Sequence, residues 1–191
     1  MLRSTIFALL VGCVTAGSPS TGIRMSIAAT DTLGKFPIVE GSNLEGERFS
    51  LPADFKGELN VVLVAFRREQ QGDVDTWLPF LKTMSESRHD LRVYELPTLG
   101  RRYRLMRSFI DGGMRRGIPD AAVRAATITL YIDKAPFRAS LRLPDEDRIA
   151  VLLTDQQGRV FWRGAGRFDE RMAGELVRRS EEVRSTHAAG G

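Results

Sequence analysis

The stretch VAFRREQQGDVDTWLPFL, residues 64–81, carries the clearest structural signal of this chain. It starts within an apolar, β-branched run, residues 58–66, which predicts a central strand buried on both faces. A polar turn follows, and the apolar spacing then predicts an amphipathic helix over residues 72–87, kinked by Pro79. The stretch therefore predicts a strand, a turn and a helix that pack as one unit.

Apolar runs elsewhere predict further elements around this unit. Strands are predicted at residues 36–41, 48–51, 91–99, 127–133, 148–155 and 159–163, and helices at residues 101–111, 118–126 and 168–184. The turn Gln156-Gln157-Gly158 predicts that the last two strands form a hairpin. This order of strands and crossover helices predicts an α/β fold, with a mixed central sheet and helices on both faces.

The length and composition of the chain agree with one globular domain. The 191 residues are 42% hydrophobic and 27% charged, which is enough to form a sizeable core. We place this domain at residues 34–184, followed by a flexible tail at residues 185–191. The formal charge of +4 permits contact with anionic surfaces but does not require it.

The N-terminal residues 1–16 predict an export signal, because Arg3 precedes an apolar run too short to span a bilayer. Leu10-Val11-Gly12-Cys13 resembles a bacterial lipobox, in which Cys13, the only cysteine of the chain, would be lipidated. The protein would then be exported and periplasmic or membrane-anchored, with residues 17–33 as a linker. Three alternatives remain: cleavage after Ala16, an organelle transit segment, and a cytoplasmic start at Met25.

The opening stretch resembles the thioredoxin pattern of a strand, a Trp-Cys-x-x-Cys turn and a proline-containing helix. The two redox positions fall on Gln71 and Val74, and the helix proline falls on Pro79. The resemblance covers residues 34–184 and implies a thioredoxin-like fold. The cis-proline that docks substrates in that family would fall on about Ile149. Since thiol exchange needs a thiolate, this pattern argues against redox activity.

The stretch IAVLLTDQQGRVFWRGAG, residues 149–166, resembles the hairpin of thiol-disulfide and peroxiredoxin-like proteins. Together with the cysteine-free Gln-Gln turn, its GRVFWRGAG segment is similar to the ATP-synthase assembly factor of the mitochondrial inner membrane, the "ATP-ten" family, and its bacterial relatives. That resemblance implies a non-redox role on a membrane subunit of ATP synthase. It leads us to expect a protein partner, in particular a membrane protein, and no cofactor.

The polar turn after the central strand is a candidate binding edge, formed by Arg67, Arg68, Gln70, Gln71 and Asp73. Backbone N–H groups at the helix N-terminus would bind an anion or a peptide carbonyl, and the two arginines would hold a carboxylate or a phosphate. In the alternative interpretation the turn only caps the helix. The arginines then pair with Glu69, Asp73 and Asp75 as a solvated cluster.

A second candidate surface lies in GRRYRLMRSFIDGGMRRG, residues 100–117, which holds six arginines and one acid. The predicted basic surface consists of Arg101, Arg104, Arg107, Arg115 and Arg116. Tyr103, Met106 and Ile110 are expected to face inward, and the helix is expected to end at Gly112-Gly113. Anionic lipid is the natural partner of such a surface, and an ordinary solvated helix face is the alternative. No nucleic-acid partner is predicted, because no base-reading motif accompanies the arginines.

The sequence lacks the motifs of metal binding, of serine hydrolases and of phosphate-binding loops. The acidic segments GDVD and DEDR do not have calcium- or magnesium-loop spacing, so no metal site is predicted. No GxSxG or phosphate-binding loop is present, and neither His89 nor His187 is placed as a catalytic base. The sequence therefore favours a non-catalytic binding or assembly-factor module. A divergent peroxiredoxin-like or thioredoxin-like oxidoreductase and an anionic-lipid-binding envelope protein are the alternatives.

Overall fold

The structure is a computed structural model that describes residues 33–189. Its strands are β1 (Val39–Asn43), β2 (Arg48–Leu51), β3 (Leu59–Ala65), β4 (Leu91–Gly100), β5 (Ile128–Ile132), β6 (Ala150–Thr154) and β7 (Val160–Ala165). Its α-helices are α1 (Gln71–Glu86), α2 (Arg107–Gly117), α3 (Ala121–Ala126), α4 (Lys134–Ser140) and α5 (Glu170–Ala189), and Arg68–Gln70 and Arg101–Met106 are 3-10 segments. The predicted export signal, Cys13 and most of the predicted linker lie outside the described residues.

The seven strands form one sheet in the order β2-β1-β5-β4-β3-β6-β7. The three strands β3, β4 and β5 run parallel to one another, and the other pairings are antiparallel. Parallel neighbours need crossover connections, which α1, α2 and α3 supply. The predicted mixed sheet is confirmed. Helices cover both of its faces, and a hydrophobic core lies on each face.

Alternate side chains of β3 enter two separate cores, because successive residues of a strand point to opposite faces. Val62 and Val64 pack in one core with Phe137 of α4. Val61 and Leu63 pack in the other core, which α1 and α5 cover. The strand is therefore buried on both faces, as its continuous apolar run predicts.

Helix α1 is fixed to the sheet through Trp77. This side chain is fully buried, and its indole Nε1 donates a hydrogen bond to the Gly166 carbonyl at 2.9 Å. Its ring meets the Trp162 ring edge-on, with the ring centroids 6.4 Å apart. Pro79 lies in the helix beyond it, as predicted. The segment after β3 and the end of the final hairpin are thus parts of one packed unit.

The predicted hairpin at Gln156-Gln157-Gly158 is confirmed. The Asp155 carboxylate accepts hydrogen bonds from the backbone N–H groups of Gln157 and Arg159, at 3.0 and 2.8 Å. Gly158 has a φ of +79°, a left-handed conformation that glycine adopts without steric cost. The turn chemistry visible in the sequence therefore determines where β6 ends and β7 begins.

The last helix continues to Ala189, beyond the predicted end of the domain at residue 184. Ser185 and Thr186 donate side-chain hydrogen bonds to the carbonyls of Glu181 and Glu182, at 2.9 Å each. The His187 ring lies edge-on to Phe161, with 6.2 Å between ring centroids. The segment predicted as a flexible tail from residue 185 is therefore helical up to Ala189.

Helix α4 is missing from the predicted order of elements. Its seven residues include a proline, Pro136, and are too few for helical periodicity to show. The Asp133 carboxylate caps its N-terminus by accepting from the Ala135 N–H at 3.1 Å.

Ile149, which aligns with the docking proline of thioredoxins, is fully buried, and the only cis peptide bond within residues 33–189 is Leu51–Pro52.

Candidate functional site

Gln70 forms the centre of the turn that follows β3. Its Oε1 accepts hydrogen bonds from the backbone N–H groups of Phe66 at 2.8 Å and Arg67 at 3.2 Å. Its Nε2 donates to the Glu146 carbonyl at 2.7 Å. The side chain is only 5% exposed, and its polar atoms are occupied by these contacts. Gln70, predicted as part of a binding edge, therefore connects the turn to the loop before β6.

The two positions that align with redox cysteines have different environments. Gln71 is exposed at the start of α1, and its Nε2 donates to the Asp75 carboxylate at 2.9 Å. Val74 is 1% exposed and packs in the core beneath α1 and α5. One position is accessible and one is buried, and neither carries a nucleophilic side chain.

The arginines of the turn do not form the predicted cluster with Glu69, Asp73 and Asp75. Arg67 pairs with Asp147 instead, at 2.8 Å, and both side chains are more than half exposed. Asp73 pairs with Arg167 at 3.5 Å. The partners come from the loop before β6 and from the residue after Gly166, because the fold brings these segments to the same edge of the sheet. The turn is therefore fastened to its neighbours on both sides.

Glu95 is a buried carboxylate beneath this turn that sequence reasoning missed. It lies on β4 in register with Leu63, and it is 8% exposed. Burial raises the pKa of Glu95, a hydrogen bond from the Gln71 side chain partly offsets that rise, and the negative charge of Asp75 adds to it. The signal that would have revealed it is a lone acid within the apolar run LRVYELPTL, residues 91–99.

The predicted basic helix forms an exposed segment, residues 101–117, which we call the arginine arm. It consists of the 3-10 segment Arg101–Met106 followed by α2, and none of its residues is buried. Leu105 is 98% exposed, Phe109 73% and Met106 52%. The prediction that Tyr103 and Met106 face inward is therefore wrong.

The arm also extends beyond its predicted end. Helix α2 continues through Gly112 and Gly113 to Gly117, so the two glycines do not end the helix as predicted. Its C-terminal part is tied to the β1–β2 turn, because Arg115 pairs with Glu45 at 3.2 Å. This contact with another part of the chain supports a helix that the glycines alone would weaken.

The five arginines of the predicted basic surface fall into two groups. Arg107 pairs with Asp111 at 3.3 Å, and Arg115 pairs with Glu45. No carboxylate of residues 33–189 lies within 4.0 Å of the guanidinium nitrogens of Arg101, Arg104 or Arg116. The arm therefore presents unneutralised positive charge beside exposed apolar side chains.

Two further properties of residues 33–189 bear on the site. No helix in this range combines the length and the apolar character that crossing a membrane would require. No group of three or more His, Cys, Asp or Glu side chains in the same range is arranged to hold a metal ion.

Comparison with known proteins gives the fold. No family model and no curated protein sequence matches this chain significantly. Among solved structures, a putative electron transport protein from Aquifex aeolicus VF5 superposes with a TM-score of 0.56 at 9% identity, over 78% of this chain and 95% of that one. BsSco, a member of the Sco family of cytochrome c oxidase assembly proteins, gives 0.52 at 13% identity, over 80% and 98%.

A putative protein disulfide isomerase from Bacteroides thetaiotaomicron gives a TM-score of 0.54 at 12% identity, over 83% of this chain and 93% of that one. These structures have thioredoxin-like folds, and this chain has the same fold. The fold expected from the stretch at residues 64–81 is thereby confirmed. At these identities the likeness concerns the fold alone.

Proposed function

We propose that this protein is a non-catalytic binding or assembly-factor module of the thioredoxin-like class, which acts at the cell envelope or a membrane and holds a protein partner with its arginine arm. The observation that carries the proposal is the state of the two redox positions. Gln71 and Val74 offer no thiol, and Val74 is buried in the core. Disulfide exchange needs a thiolate at such a position, and a glutamine amide cannot replace it.

The arginine arm supports a binding role because it combines the residue types that dominate protein interfaces. Leu105, Met106 and Phe109 are exposed large apolar side chains, and they lie among arginines in one continuous segment. The Arg102 guanidinium lies 4.9 Å from the Tyr103 ring centroid, within cation–π distance. Tyrosine, phenylalanine, methionine and arginine are enriched at interfaces, and apolar patches on a surface mark interaction sites.

The structural neighbours include proteins with redox names as well as an assembly protein, so the fold is compatible with an assembly role. BsSco belongs to a family of cytochrome c oxidase assembly proteins, so the thioredoxin-like fold occurs in at least one assembly system. The resemblance of GRVFWRGAG and the Gln-Gln turn to the "ATP-ten" assembly factor points in the same direction. We therefore favour a membrane protein as the partner, held without thiol chemistry.

A site-specific photo-cross-linker at position 105 tests the proposal in the cells that make the protein. We expect it to give a discrete adduct with an integral membrane protein. The same cross-linker at Gln157, exposed in the β6–β7 turn, is the matched control and should give no such adduct. The Phe109→Ser substitution should weaken the adduct at position 105. Identical adducts from both positions, or none from either, would reject the arm as the partner-binding surface.

An activity assay separates the proposal from the oxidoreductase alternative. Reduction of insulin disulfides by dithiothreitol, and consumption of hydrogen peroxide, should proceed at the rate of the protein-free blank. A rate clearly above the blank that is lost on unfolding the protein would favour a divergent oxidoreductase instead.

Binding to anionic lipid is a second candidate function, which the unneutralised Arg101 and Arg104 favour. Sedimentation with anionic vesicles should then be strong for the wild type and weak for the Arg101/Arg104/Arg107→Glu variant. Equal sedimentation of the two proteins would remove this candidate.

A further inference from the structure

A cleft of about 620 Å³ lies between the arginine arm and the adjacent face of the sheet. This volume is within the range of small-molecule binding sites, about 300–1,000 Å³. Arg101, Arg104 and Arg107 line it from the arm, and Arg48, Thr129 and Tyr131 line it from the sheet. These six residues come from three parts of the chain, the arm, β2 and β5, which only the fold brings together.

The register of the sheet aligns three polar side chains beneath this cleft. Arg48 of β2 pairs with Ser42 of β1, and Ser42 pairs with Thr129 of β5. Directly opposed residues of antiparallel strands project from the same face of a sheet, so the three form a row across it. The Ser42 hydroxyl accepts a hydrogen bond from the Arg107 guanidinium. The arm is therefore held over this row at the Ser42 position.

Of the two buried members of the row, Ser42 and Thr129, only Thr129 lacks a hydrogen-bond partner within residues 33–189. It is 1% exposed, and its hydroxyl has no hydrogen-bond partner within the described part of the chain. The neighbouring Thr127 differs, because its hydroxyl donates to the Val123 carbonyl at 2.8 Å. Buried polar groups are almost always hydrogen-bonded, and an exception requires an explanation. A ligand in the cleft that Thr129 lines would supply the missing partner.

The charge of the cleft favours an anion. Its four arginines outnumber its two carboxylates, Glu40 and Asp133. Among residues 33–189, no carboxylate lies within 4.0 Å of the guanidinium nitrogens of Arg48, Arg101 or Arg104. The fourth arginine, Arg107, is engaged by Asp111 and Ser42. Three guanidinium groups are thus available to a ligand.

The polar groups around Tyr131, which lines the cleft, are paired with one another. The Tyr131 hydroxyl donates to the Asp111 carboxylate at 2.8 Å, and the same carboxylate pairs with Arg107. Burial raises the pKa of Tyr131, and the hydrogen bond to Asp111 raises it further. The neutral tyrosine and the neutralised Asp111 therefore place no free negative charge on this side of the cleft.

We propose that the cleft binds a phosphate group carried by an organic phosphate ester. The guanidinium groups of Arg48, Arg101 and Arg104 pair with phosphate oxygens, and the Thr129 hydroxyl donates to the same group. Arginine is suited to this role because its planar fork binds phosphate bidentately. Several guanidiniums and one hydroxyl match the several oxygens of a phosphate better than the two of a carboxylate. The remaining volume accommodates the organic part of the ester, which is either a soluble compound or a phospholipid headgroup.

Two probes distinguish these sources. Glycerol 3-phosphate, titrated by calorimetry, represents the soluble ester, and phosphatidylcholine vesicles with and without phosphatidic acid represent the headgroup. The test variant is Arg48→Gln/Thr129→Val, which changes only the sheet side of the cleft. The matched control is Arg116→Gln, which removes one positive charge from the arm outside the cleft. Losing charge-assisted hydrogen bonds should weaken binding about tenfold or more in the test variant only.

Each outcome decides the proposal. Binding of glycerol 3-phosphate that the test variant loses and the control retains supports a soluble ester, and the same pattern with phosphatidic acid vesicles alone supports a headgroup. No binding of either probe, or equal weakening in both variants, overturns the site. If the double variant does not fold, two single variants take its place. Arg48→Gln should lose binding, and Thr129→Ser, which keeps the hydroxyl, should retain it. The cross-link from position 105 should persist in the test variant, so failure of this site is distinguishable from failure of the proposed partner binding.

Discussion

Gln70 shows at the scale of one residue why the turn after β3 is structural. A single buried side chain provides partners for two backbone N–H groups and one carbonyl, in segments that are 76 positions apart in sequence. A cysteine-free turn therefore keeps its shape through an amide. The amide satisfies the backbone groups that a tight turn would leave without partners.

Replacing Gln70 with leucine should lower the free energy of unfolding by about 2 kcal/mol, because the Phe66 N–H and the Glu146 carbonyl lose their partners. Urea denaturation followed by circular dichroism measures the change. The exposed neighbour Glu69 is the control, and Glu69→Gln should change stability by less than about 0.5 kcal/mol. Equal effects at the two positions would contradict the role given to Gln70.

Glu95 makes stability depend on pH in a predictable direction. Its raised pKa means that the native protein holds this proton more tightly than the unfolded chain does. Ionisation of the buried Glu95 carboxylate therefore lowers the free energy of unfolding. This loss of stability is absent below the ordinary pKa of a glutamate and grows as the pH rises through the raised value. We expect Glu95→Gln to be more stable than the wild type near neutral pH, and this advantage to disappear in acid.

Urea denaturation across a range of pH values measures that difference. The same substitution at the exposed Glu58 is the matched control and should show no comparable advantage near neutral pH. An advantage of Glu95→Gln that stays constant from acid to neutral pH would show that ionisation of Glu95 is not its cause.

At the scale of elements, the arginine arm and α5 differ in whether their leucine side chains are exposed or buried. Leu105 of the arm is 98% exposed, whereas Leu176 of α5 is fully buried. We expect Leu105→Ala to change the free energy of unfolding by less than about 0.5 kcal/mol and Leu176→Ala to lower it by about 2–5 kcal/mol. Chemical denaturation of both variants checks this, and a large loss at Leu105 would mean that the arm belongs to the core.

The elements also show how much the sequence could predict. Long apolar runs and turn residues located β3, β4, the hairpin and α1 within a few positions, because these signals are local. The orientation of the arm was not predictable, since Tyr103 and Met106 have inward-facing spacing but lie outside both cores. Helix α4 was too short to show periodicity.

The candidate site depended still more on contacts between distant residues. Arg67 pairs with Asp147, 80 positions away. The row of Arg48, Ser42 and Thr129 exists only because β1 lies between β2 and β5 in the sheet. No local pattern encodes a strand order, so the sequence indicated the arginines of the arm but not the cleft that they border.

At the scale of the whole molecule, one sheet separates two cores and joins them. Both tryptophans, Trp77 and Trp162, lie in the core beneath α1 and α5, whereas the opposite core is built on Phe36, Phe55 and Phe137. Strands β3 and β6 contribute alternate residues to both cores, so we expect the cores to unfold together. Tryptophan fluorescence and far-ultraviolet circular dichroism should give the same urea midpoint. Separate midpoints would show that the cores unfold independently.

The fastening of the arm has a thermodynamic consequence. Arg107 contacts Ser42 and Arg115 contacts Glu45, so the arm is attached to β1 and the turn after it at two points along its length. Its exposed side chains are therefore displayed on a backbone that is already ordered. Binding to such a surface costs little additional conformational entropy on this side of the interface. The affinity of the complex would then be determined mainly by how much order the partner itself must acquire.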